Sequence, residues 1–142
     1  MEHDEGPVHT LTEAECWDFL TANSLGRIAT HVHDVVDIVP VNFYADGSSI
    51  LFRTAPGSKL LELTINDNVA FEIDGYDDQM GWGVVVKGTA HALDKQSDIA
   101  AAEASPLHPW IPTLKQVYVR ITPTHITGMR FERGPEPEPD PY

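Results

Sequence analysis

The chain is poor in cysteine, in positive charge and in long apolar runs. Cys16 is its only cysteine, which excludes an intrachain disulfide. Nine Lys and Arg stand against 22 Asp and Glu in 142 residues, a net charge of −13. That field repels phosphate backbones and anionic membrane surfaces, so neither is an expected partner. No apolar stretch approaches the ~20 residues of a membrane span. The opening residues Met1-Glu2-His3-Asp4-Glu5-Gly6-Pro7 are polar and acidic, unlike a secretory leader, and the expected location is the cytoplasm.

What is present fits one domain with a real core: the chain is 42% hydrophobic and 22% charged, in the usual range for a soluble globular protein. Residues 1–10 read as a disordered N-terminus, 11–133 as the folded domain, and the acidic, proline-alternating 134–142 as a disordered tail. Thr12 and Glu15 form a capping box that opens a short helix with Cys16, Phe19 and Leu20 on one face. Strands follow at 25–32, 36–44 and 49–53, with Asp46-Gly47 as the hairpin turn between the last two. Pro40 lies inside the second and predicts a bulge or an edge. A short helix from Ser58 to Leu63 comes next, then strands at 68–75 and 81–93. The glycines of the latter suit a curved, bulged barrel strand. Asp94 is placed as the cap of a third helix ending near Glu103. A proline-rich loop with His108 and Trp110 leads to a last strand at 116–126. Six antiparallel strands with short helices at the connections predict a mainly β fold, a small closed or nearly closed barrel.

Two groups carry the functional signal. Arg53, Thr54, Ser58 and Lys59 surround the Pro56-Gly57 turn at a helix start. Free N–H groups and the positive end of the helix dipole, with hydroxyls and cations beside them, suit a phosphate. A plain surface turn in which Ser58 caps the helix is the alternative. Val39-Pro40-Val41-Asn42-Phe43 is the second group: a proline-broken strand exposes backbone groups to a flat heterocycle, with Asn42 as a side-chain partner. The Asp46-Gly47 hairpin lays the two groups on neighbouring strands, so one ligand can use both. Tyr76, Trp82, His108 and Trp110 are aromatic candidates for ligand stacking, a subunit interface or core packing. His31 and His33 share one strand face, too few ligands for a metal site. Asp74, Asp77 and Asp78 read as a solvated loop, and no nucleophile stands in a catalytic motif.

The chain resembles the pyridoxamine 5′-phosphate oxidase-like family of flavin-binding split β-barrels. The resemblance rests on Leu25-Gly26-Arg27-Ile28-Ala29-Thr30, Pro40-Val41-Asn42-Phe43, Asp46-Gly47, Phe52 to Leu60, Val69-Ala70-Phe71-Glu72 and Gly81 to Gly88, in order, over residues 11–131. It implies a six-stranded antiparallel split barrel, a homodimer, and FMN at the subunit interface. Thr54, Ser58 and Lys59 would then hold the FMN phosphate, with Arg53 as a helper. Pro40, Val41 and Asn42 would border the isoalloxazine, and Trp82, Trp110 and Arg130 would reach across the dimer. A single lysine follows Ser58 with no adjacent arginine, and the C-terminal region offers only Arg130 and Arg133, so vitamin B6 oxidation is not the expected reaction. The expected function is an FMN-dependent oxidoreductase of unassigned substrate. Relatives that use a deazaflavin (F420), or that carry flavin or haem without turnover, are the alternatives.

Overall fold

A computed structural model of the chain describes residues 6–107 and 117–135, with backbone alone at Ser58 and Lys59. In chain order the elements are β1 (Val8–Thr10), α1 (Glu13–Thr21), β2 (Leu25–Val32), β3 (Val35–Ala45), β4 (Ile50–Thr54), α2 (Ser58–Ile65), β5 (Asn68–Tyr76), β6 (Met80–Ala92), α3 (Gln96–Glu103) and β7 (Val117–Glu132). The strands run β7-β4-β3-β2-β5-β6, and β6 pairs back onto β7. Every pairing is antiparallel. This ring of six is the mainly β, antiparallel barrel expected from the sequence. Among the described residues no helix is long and apolar enough to cross a membrane.

Period-2 alternation decides which side chains fill the ring. Ile28, Ile50, Phe52, Phe71, Ile73, Val84, Val86, Val119 and Ile121 are all fully buried. Phe43 and Phe71 meet edge-on, with ring centroids 4.9 Å apart and an interplanar angle of 73°. Removing either ring would cost about 3–5 kcal/mol. Helix α1 adds Cys16 and Leu20 to this core, so Cys16 is a packing residue. Its capping box forms as expected: Thr12 N–H donates to Glu15 Oε1 at 2.8 Å, and Glu15 N–H to Thr12 Oγ1 at 3.2 Å. Thr30 is the polar residue on the inner face, and its hydroxyl donates to Glu62 Oε1 at 2.8 Å, which ties α2 to β2.

Strand β6 shifts register between Lys87 and Gly88, the bulge expected from its glycines. At Gly88 a Cβ would lie 2.2 Å from the Thr122 carbonyl oxygen, so β6 and β7 approach closely there because no side chain intervenes.

Four sequence expectations change. Val8–Thr10 is a strand, not part of a disordered terminus: β1 pairs with Met129 to Phe131 of β7, and Glu132 N–H donates to the Pro7 carbonyl at 2.8 Å. The last strand runs to Glu132 for the same reason, since β6 and β1 give its far half partners. His33 lies in the β2–β3 turn with φ 54°, so it does not share a strand face with His31. The cap residue of α3 is Lys95, with no side-chain cap bond, where Asp94 was expected.

Candidate functional site

The sheet divides beside the sequence-predicted site. Strands β3 and β4 pair only at Phe43–Phe52, Tyr44–Leu51 and Ala45–Ile50. Before Phe43, β3 pairs with β2 alone; after Phe52, β4 pairs with β7 alone. A gap therefore opens with Pro40 and Asn42 on one lip and Arg53 and Thr54 on the other. The second lip runs directly into α2, so the two sequence groups do meet at one place.

The hairpin that sets this geometry is held by Asp46. Its Oδ1 accepts from Ser48 N–H at 2.9 Å and Ser49 N–H at 2.7 Å, and Gly47 takes φ 94°. Burial alone would raise this carboxyl; the Ser48 and Ser49 backbone N–H groups and hydroxyls outweigh it and hold the group below its ordinary value.

Pro40 sits in an unbulged register, opposite Arg27, which corrects the bulge alternative and leaves the edge. The reason is backbone direction. Phe43 N–H donates to the Ser24 carbonyl at 2.9 Å, on the β2 side. By alternation the amide position of Pro40 faces the gap, where no partner strand needs an N–H. Val41 turns its side chain against the core, and by the same alternation its N–H and C=O face β2, so the backbone groups open to the gap are the Pro40 carbonyl and those of Asn42. Asn42 Nδ2 donates to the Ser24 carbonyl at 3.4 Å. On the outer face, Pro40, Arg27 and Glu72 form one cross-strand row. Arg27 bridges Glu72 at 2.9 Å and Asp74 at 3.4 Å. Burial and the neighbouring Asp74 push the Glu72 carboxyl up against the pull of Arg27.

On the other lip, Arg53 and Thr54 point to opposite faces, as consecutive strand residues must. The Arg53 guanidinium lies 5.4 Å from the centroid of the Tyr118 ring. Its Nε is buried without a hydrogen-bond partner among the described residues. Thr54 Oγ1 makes a long 3.4 Å contact with the Ala55 carbonyl. The cap residue of α2 is Gly57, not Ser58, with φ 153° and ψ −150°, and no side chain caps the helix. That backbone conformation is accessible almost only to glycine. The first turn of α2 contains no acidic residue. Helix α1, by contrast, has a capping box and two acidic residues in its first turn.

Trp82 does not look outward. It lies opposite Gly75 on the inner side of the sheet and stacks on Phe19, with centroids 4.3 Å apart. Arg130 pairs with Trp82 on β6 and with His9 on β1, away from the gap. Trp110 and His108 lie outside the described residues. A cleft of about 880 Å³ also lies elsewhere: Tyr76, Val85, Met129 and Phe131 line it on the outer face of β5, β6, β7 and β1. Sequence reading missed Arg120, which joins Arg53 on the outer face of the β4–β7 ladder. The available signal was a cation set between Val119 and Ile121 in an otherwise acidic chain.

The family model for pyridoxamine 5′-phosphate oxidase matches residues 12–130. The chain belongs to this family. A pyridoxamine 5′-phosphate oxidase candidate from Corynebacterium glutamicum is 45% identical in sequence, with a TM-score of 0.87 over 94% of this chain and 100% of its own. A FAD-binding protein from Mycobacterium smegmatis is 43% identical, with a TM-score of 0.76 over 87% of this chain and 98% of its own. An uncharacterized Mycobacterium tuberculosis protein is 44% identical over 92 residues, covering 65% of this chain and 84% of its own. As a family member, the chain has the split β-barrel as its fold, and the β3–β4 gap is one opening of that barrel.

Proposed function

We propose that the chain is a flavin-binding protein of the pyridoxamine 5′-phosphate oxidase family, and that it works as an oxidoreductase. The observation that carries this reading is the uncapped α2 N-terminus at the edge of the β3–β4 gap. On a chain of net charge −13, an uncapped helix start with no acidic residue in its first turn favours an anion. The orphaned Nε of Arg53 stands on the same lip, so the residues present fit a phosphate-bearing cofactor. The likeness to a FAD-binding protein at 43% identity makes a flavin the natural anion.

In this reading Thr54, Ser58 and Lys59 hold the flavin phosphate, and Pro40 with the backbone beside Val41 and Asn42 borders the ring. The flavin supplies the electron chemistry. The chain's own residues bind it, orient it and shield one side of it. The phosphate turn serves FMN and the FMN half of FAD alike. A second copy of the chain would cover the outer side of the gap and complete the site.

Titration of the flavin-free chain with FMN, FAD and the deazaflavin F420 tests this. A flavin should bind with quenched fluorescence and raise the melting temperature, and Lys59→Ala should weaken it by about tenfold or more. Binding of the deazaflavin alone would replace the flavin with its analogue. A chain that binds none of the three would refute the reading.

A further inference from the structure

We propose that the cleft on the outer face of β5, β6 and β7 binds a flat aromatic cation, with its ring on the bare backbone of Gly83 and its charge at Asp74. The site is separate from the β3–β4 gap and does not depend on the flavin reading. Strand pairing builds it in two rows. Tyr76, Gly81 and Phe131 stand level across β5, β6 and β7, and so do Asp74, Gly83 and Met129. Strand β6 thus sets a glycine at the middle of each row, between larger side chains on both sides. The cleft that results measures about 880 Å³, within the ~300–1,000 Å³ of small-molecule sites.

The two glycines are not equivalent. A Cβ at Gly81 would lie 2.3 Å from the Phe131 ring, so that ring already covers it. At Gly83 the nearest atoms a Cβ would meet among the described residues are the Asp74 Cβ and the Ile73 carbonyl oxygen, each at 4.0 Å. The floor there is open peptide, which suits the face of a planar ring. Tyr76 and Met129 stand exposed on either side of it, an aromatic and a thioether wall that a ring shields from water. The Tyr76 ring already attracts a cation: the Arg133 guanidinium lies 4.9 Å from its centroid.

The sign of the ligand's charge follows from the ion pairs around the cleft. Arg133 is occupied by the Asp77 carbonyl and the Tyr76 ring. Arg27 serves two carboxylates, Glu72 at 2.9 Å and Asp74 at 3.4 Å, so one negative charge of that group stays unbalanced. Asp74, the more loosely held of the two, is the one that lines the cleft. Burial and the neighbouring Asp74 push the Glu72 carboxyl up, as expected where two carboxylates share one cation. A cation at Asp74 supplies the missing partner. The net charge of −13 favours the same sign of ligand.

Fluorescence titration tests this with ligands that share one ring system: naphthylmethylamine as the cation, naphthalenemethanol as the neutral form and naphthoate as the anion. The full chain is used as wild type, Asp74→Asn, Gly83→Leu and Tyr76→Ala, with thermal melting to confirm that each variant folds. Wild type should bind the amine about tenfold more tightly than the alcohol, and naphthoate least. Asp74→Asn should bring the amine to the level of the alcohol and leave the alcohol unchanged, a split that a merely structural role of Asp74 would not give. Gly83→Leu fills the floor and should abolish binding of both. Tyr76→Ala removes a wall outside the core and should weaken both by about fivefold. Equal wild-type affinity for amine and alcohol, or an amine preference kept in Asp74→Asn, overturns the proposal. Binding that survives both Gly83→Leu and Tyr76→Ala places the ligand elsewhere and overturns it as well. So does a wild-type dimer, seen by light scattering, that Gly83→Leu or Tyr76→Ala separates, since a second copy then covers the cleft. A chain that binds none of these ligands refutes the site.

Discussion

Asp46 shows how one side chain fixes the approach to the gap. Its carboxylate accepts two backbone N–H bonds and the hydroxyls of Ser48 and Ser49 at 3.2 and 3.0 Å. These bonds hold its folded pKa below the ordinary value. A carboxyl lowered in this way adds stability that is fully present above its unfolded pKa and is lost as pH falls through its folded one. The side chain is exposed, so the contribution is screened and amounts to about 1 kcal/mol or less. Asp46→Asn keeps the shape and removes the charge. Urea unfolding at neutral pH and at about pH 3 should show a variant less stable than wild type at neutral pH, with the difference shrinking in acid. A difference that is the same at both pH values would mean that the ionised carboxylate is not what holds the hairpin.

Gly88 is the corresponding control at the level of elements. An alanine Cβ there would lie 2.2 Å from the Thr122 oxygen and 2.9 Å from its carbonyl carbon, atoms that move only if β6 and β7 part. Gly88→Ala should cost about 1–3 kcal/mol in unfolding free energy. Flavin affinity in the folded variant should persist, because this seam lies away from the β3–β4 gap. An unchanged unfolding midpoint would show the seam to be pliable. Strands β5 and β7 show what the sequence made legible. Alternation of Val69, Phe71 and Ile73, and of Val117, Val119 and Ile121, marked strands whose inner faces are core, and Asp46-Gly47 marked the hairpin. β1 escaped notice because three residues show too little alternation, and its partners lie about 120 positions away along the chain. Pro40 announced an irregularity, but whether as a bulge or as an edge depended on where β4 stops. The turn into α2 was legible in its residue types. Its separation into Thr54 on one face and Arg53 with Arg120 on the other was not, because that follows from pairing with β7.

At the scale of the whole molecule, the outer face of β3 is the feature a monomer leaves unexplained. Val36 and Ile38 are 68% and 63% exposed, and with Pro40 they form one ridge that ends at the gap. A ridge of this kind beside a ligand site marks an interface. If a second copy covers it, dimer formation and flavin binding must be linked, since the same contact closes both. Each copy carries −13, so association works against charge repulsion and should strengthen as salt screens it. Ile38→Asp places a carboxylate from each copy in the contact. Light scattering should show a wild-type dimer that tightens with salt and a variant that stays monomeric. Flavin affinity in the variant should fall by about tenfold or more, because half of its site is missing. A monomeric variant that binds flavin as well as wild type would place the whole site within one chain. A dimeric variant would move the interface to the Tyr76, Met129 and Phe131 face, whose side chains are 77%, 55% and 43% exposed.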